Sequence, residues 1–70
     1  MGPGTRVEGM LDGNCVPRGR QSNWFDCTAK LNDGSIQVFR GFRPLTDRTK
    51  VVFMRHDRRY VGKQYALVAP

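Results

Sequence analysis

Residues 24 to 39, WFDCTAKLNDGSIQVF, constrain the fold more than any other stretch of the chain. Phe25, Cys27, Ala29 and Leu31 alternate with Trp24, Asp26, Thr28 and Lys30, the period-two signature of a half-buried strand. Asp33-Gly34 follows, and because both residues tolerate positive φ the pair is a strong two-residue hairpin signal. A two-residue loop sets Leu31 against Ile36, Ala29 against Val38 and Thr28 against Phe39. Ile36 and Val38 are then expected in the core, with Ser35, Gln37 and Phe39 outside. Two bulky rings, Trp24 and Phe39, fall on the face where polar residues belong. Arg40 falls on the core side beside Cys27, and since a buried unpaired guanidinium is too costly, it is expected at a barrel rim or after a bulge.

Four other segments complete the pattern. Thr5 to Leu11 alternates and reads as a first strand. Asp12 to Asn23, DGNCVPRGRQSN, reads as a long loop with little structure of its own. Thr49 to Arg55, TKVVFMR, is β-branched and aromatic, as in a strand covered on both faces or curving round a barrel. His56 to Arg59, HDRR, reads as a turn, and Tyr60 to Val68 as a fifth strand. No stretch keeps a helical period. Five short strands leave unprotected edges unless the sheet closes, so the expected fold is all-β: a small five-stranded barrel, OB-fold-like, with an SH3-like barrel as the alternative. Residues 1–70 form a single domain with 1–4 and 69–70 as flexible ends. The short linker over 41–48 lies where many OB-folds place a helix.

Composition narrows the function. Twelve Lys and Arg against six Asp and Glu give a net charge of +6, and the excess sits entirely from Arg40 onward. A polyanion partner follows, since neutralised phosphates release counterions; a merely solubilising surface is the other reading. One histidine, no nucleophile elbow, no phosphate loop and no close acid pair argue against an enzyme, and no cofactor is called for. Cys15 and Cys27 lack metal-ligand spacing, and Cys27 reads as a small buried hydrophobe in preference to half of a disulfide. With neither an apolar run long enough to span a membrane nor a leader, the expected setting is cytoplasmic.

The binding reading rests on the outer hairpin face. Trp24, Lys30, Gln37 and Phe39 share it in the expected register, with Arg43 opposite Trp24, and rings interleaved with cations suit single-stranded nucleic acid. Arg55, Arg58 and Arg59, with Lys50, Lys63 and Arg48, form a basic edge. Two other readings stand beside this one. Either the 12–23 loop covers Trp24 and Phe39, or the rings pack on a protein partner or a second subunit in a homo-oligomer. Tyr60 and Tyr65 read as core or rim residues.

VEGMLDGN at 7–14, FDCTAKLNDGSIQVFRG at 25–41 and the spacing to TKVVFM at 49–54 resemble the small RNA-binding OB domains of bacterial translation initiation factor one. The resemblance implies an OB-fold that uses its outer strand face and basic loops on structured RNA, with Lys30, Phe39, Arg40 and Arg43 as contacts. The chain departs from that family at Asp47-Arg48-Thr49, where Gly-Asp is usual, and at Gln64-Tyr65-Ala66, where the family has Gly-Arg-Ile.

Overall fold

A computed structural model describes the backbone of residues 4–60 and 63–70 and the side chains of residues 4–56 and 65–70. It is all-β. The strands are β1 (Arg6–Leu11), β2 (Val16–Arg18), β3 (Trp24–Leu31), β4 (Ile36–Gly41), β5 (Lys50–Tyr60) and β6 (Lys63–Ala69). All pair antiparallel in one curled sheet, ordered β2-β3-β1-β5-β6, with β4 on the other edge of β3. The sheet makes a half-barrel compatible with a small OB-like barrel.

The first hairpin differs from expectation by one residue. Leu31 N donates to Ser35 O (2.9 Å) and Gly34 N to Leu31 O (3.0 Å), so the loop holds three residues, 32–34, with Gly34 at φ 90°. Asp33 Oδ1 fixes this longer turn by accepting from Ser35 N (2.9 Å) and Ser35 Oγ (2.6 Å). Cys27 then opposes Phe39, Thr28 opposes Val38 and Lys30 opposes Ile36. Because the side-chain period of a strand is two, a slip of one residue turns all of β4 over. Phe39, expected outside, is 9% exposed in the core; Ile36 and Val38, expected inside, are 61% and 67% exposed. Gln37 moves inward, and Arg40 moves from the expected core side to the exposed face, which removes the problem of a buried guanidinium.

The core joins Val7, Leu11, Cys15, Cys27, Ala29, Leu31, Phe39, Val51 and Phe53. Phe39 meets Phe53 edge-on with centroids 5.4 Å apart, a geometry that adds about 0.5 to 1.5 kcal/mol to the burial of the two rings. Gly9 lies where β1 crosses close to β3, and a Cβ there would run into the Lys30 carbonyl and the Leu31 side chain.

The 12–23 segment is more ordered than its composition suggests. Its residues 16–18 form β2, pairing with Asp26, Phe25 and Trp24, and Cys15 forms a disulfide with Cys27 across a Cα separation of 4.5 Å. The expected free thiol at Cys27 is corrected by this pairing of β2 with β3, which aligned the two cysteines although nothing in their spacing announces it. The 42–49 linker crosses the end of the half-barrel without a helix. Asp47 Oδ1 accepts from Gly13 N and Asn14 Oδ1 from Asp47 N (both 2.8 Å), while Leu45 O accepts from Cys15 N (2.9 Å) and its side chain packs on the core.

At the far end, β5 runs through residues 56–59, expected as a turn, and reaches Tyr60 with a register shift after Arg55. Near the chain ends, Gly4 N donates to Arg55 O (2.7 Å) and Ala69 pairs with Val52.

Candidate nucleic-acid interface

The outer face of β3 and β4 carries the candidate site. Asp26 and Arg40 are cross-strand partners, and Trp24, two residues before Asp26, lies diagonally from Arg40, so the guanidinium reaches the indole and stacks 4.0 Å from the ring centroid. Arg18 on β2 donates from Nε to Asp26 Oδ2 at 2.8 Å, which occupies the acid nearest the stack. The indole edge rests on the backbone of Gly19; a Cβ at that position would come within 2.7 Å of Trp24 Nε1. Trp24 is therefore half-buried, its edge covered by the 19–23 loop and one ring face by Arg40, and the exposed partner of the pair is the arginine.

Across the sheet, register aligns Lys50, Met10, Lys30 and Ile36 in one row of the outer face. Lys30 approaches Asp12 at 3.9 Å, but with both side chains more than half exposed this pair is worth little. Beyond β4, Phe42 is 74% exposed, the most open large hydrophobic among the described residues, and Arg43 beside it is exposed.

The expected site residues therefore divide. Trp24, Lys30 and Arg40 share the outer face, with Arg43 at its end. Phe39 does not belong to it. Arg55 is half-buried on the other side of the sheet, paired in register with Tyr65. The side chains of Arg58, Arg59 and Tyr60 lie outside the described residues, as does that of Lys63. Phe42 escaped sequence reasoning, although its spacing of two from Arg40 was a signal, and Arg18, legible only as part of a basic loop, owes its place beside Asp26 to β2.

A separate cluster holds the turn end of the half-barrel. Tyr65 Oη donates to Asp33 Oδ2 at 2.6 Å, joining β6 to the β3–β4 turn. Hydrogen bonds from the Ser35 hydroxyl, the Tyr65 hydroxyl and the Ser35 amide hold the Asp33 carboxyl below its ordinary pKa, with Arg55 adding to the effect. The carboxylate in turn holds the phenolic proton and raises Tyr65.

Together these features define a class: a small all-β half-barrel with a mixed aromatic and basic outer face. Compared with known proteins, the chain matches no family model, no curated protein and no solved structure. Among the described residues no group of three or more His, Cys, Asp or Glu is placed to hold a metal, and no helix is long and apolar enough to cross a membrane.

Proposed function

We propose that the chain is a non-enzymatic module that binds single-stranded nucleic acid, RNA or DNA, on the outer face of β3 and β4. The observation that carries the reading is the Arg40 guanidinium held over the Trp24 ring, with the exposed ring of Phe42 two residues further along the chain. Unpaired bases stack on aromatic rings and on guanidinium planes alike, and Trp24 pre-orients the one at Arg40. Arg43, Lys30 and Lys50 supply charge for phosphates, within a chain of net charge +6. A duplex keeps its bases stacked on one another and offers no face to Phe42. The Cys15–Cys27 disulfide suits an oxidising compartment, the opposite of the cytoplasmic setting expected from sequence.

Fluorescence anisotropy of a labelled oligothymidylate and of a duplex of equal charge tests the proposal. The single strand is expected to bind more tightly, and an Arg40→Ala/Phe42→Ala double variant to lose at least about fivefold, the lower end of what one stacked base contributes. Equal affinity for the duplex, or an unchanged double variant, would overturn it.

A further inference from the structure

The outer edge of β4 has no neighbour among the described residues, since β4 pairs with β3 alone. The bond from Leu31 N to Ser35 O makes those two residues a hydrogen-bonded pair. The alternation of an antiparallel ladder then makes Ile36, Val38 and Arg40 the non-hydrogen-bonded positions against Lys30, Thr28 and Asp26. Such positions turn their N–H and C=O away from the neighbouring strand, here toward the open edge. Soluble proteins usually blunt such an edge with lysine, proline, a bulge or a covering loop. β4 reads IQVFRG: it has no lysine and no proline, its one charged side chain is folded back on Trp24, and Ile36 and Val38 are largely exposed.

We propose that this edge pairs antiparallel with β4 of a second copy of the chain, across a two-fold axis at Val38. Val38 then faces Val38 of the second copy, and Ile36 faces Arg40 of the second copy, so each of the three edge-facing positions meets an edge-facing position and none of their N–H and C=O groups is left unpaired. The row Ile-x-Val-x-Arg is self-complementary in this register. β-branched residues meet at the centre, and the aliphatic stem of each Arg40 covers an Ile36. The two arginines stay four residues apart, about 14 Å along the strands at strand rise, beyond the screening length of about 8 Å at physiological salt. Centring the axis on Arg40 would oppose like charges, which selects against that slip. An axis perpendicular to the sheet keeps both outer faces on the same side, so the two Trp24–Arg40 stacks lie on one continuous surface. The dimer stands independently of what that surface binds.

Sedimentation of nuclease-treated protein over a concentration series, at low and high salt, tests the proposal. A monomer–dimer equilibrium is expected, with more dimer at high salt, because the copies each carry +6 and salt screens their repulsion. Association bridged by residual nucleic acid would weaken with salt. Val38→Pro removes an edge-facing N–H and spares the ladder to β3, so this variant is expected to keep its circular dichroism spectrum while remaining monomeric. Should the variant not fold, amide exchange in the unaltered chain decides: the Ile36, Val38 and Arg40 amides are expected to slow as concentration rises. A chain that stays monomeric at every concentration, a Val38→Pro variant that dimerises like the parent, or amides indifferent to concentration would overturn the proposal.

Discussion

Phe39 and Phe42 are three residues apart and occupy opposite environments, so a substitution at each separates stability from binding. Phe39→Ala empties the edge-on contact with Phe53 and is expected to cost about 3 to 5 kcal/mol in urea unfolding. Phe42→Ala touches no core and is expected to stay within about 0.5 kcal/mol of the parent while weakening oligonucleotide binding. Gly9→Ala drives a methyl group into the Lys30 carbonyl, where backbone must move, and is expected to lower stability by about 1 to 3 kcal/mol in the same assay. The Asp33–Tyr65 bond gives these single-residue effects a pH dependence. Asp33 has its carboxyl pKa lowered on folding, so its contribution is present above the unfolded value near 4 and is lost as pH falls through the folded value. Tyr65 is raised, so its contribution is present below about 10 and is lost as pH climbs through the folded value. Stability of the clasp spans the interval between, and Tyr65→Phe is expected to remove its alkaline limb and to shrink the acid limb, part of which the Ser35 bonds to Asp33 still hold. A Tyr65→Phe profile superimposable on that of the parent would remove the clasp from the account. Asp33 is exposed and Tyr65 only partly buried, so solvent screening keeps these changes small.

Among the elements, the Cys15–Cys27 disulfide decides whether β2 belongs to the sheet. It closes a loop with a sequence separation of 12, for which chain-entropy arguments give about 3 kcal/mol. Without it, three exposed residues of β2 and the bond from Asp12 N to Thr28 O hold the 12–23 segment against β3. Reduction is expected to lower the urea midpoint and to shift the emission of Trp24, the chain's one tryptophan, to the red as the Gly19 backbone leaves the indole. An emission maximum that ignores reductant would mean that β2 stays docked unaided. The strands at Arg6–Leu11 and Trp24–Leu31 were legible in the sequence because each buries one face and so writes alternation into its residues. The register of β4 was not, because Asn32-Asp33-Gly34 suits a two-residue and a three-residue loop equally, and the choice is made by Asp33 bonding forward to Ser35 and across to Tyr65. That single slip took Phe39 off the outer face and set Arg40 on it. The disulfide and the extension of β5 through 56–59 likewise depend on strand partners far along the chain, which local pattern does not record.

For the whole molecule the governing quantity is charge set on a face that also offers stacking surfaces. If a single strand crosses the outer face and reaches Lys30, Arg43 and Lys50, three phosphates are neutralised, and the logarithm of the affinity should fall with the logarithm of salt with a slope of about −2, from about −0.7 per contact. Stacking carries no such slope. Arg43→Gln is therefore expected to reduce the slope by about 0.7 and to weaken binding equally for different sequences, whereas Phe42→Ala should lower affinity at every salt concentration and leave the slope as it was. Titrating both variants with labelled oligothymidylate across a salt series separates the two contributions. A slope near zero in the parent would mean that the net charge of +6 serves solubility alone, and a slope that changes in Phe42→Ala but not in Arg43→Gln would place the phosphate path somewhere other than the end of β4.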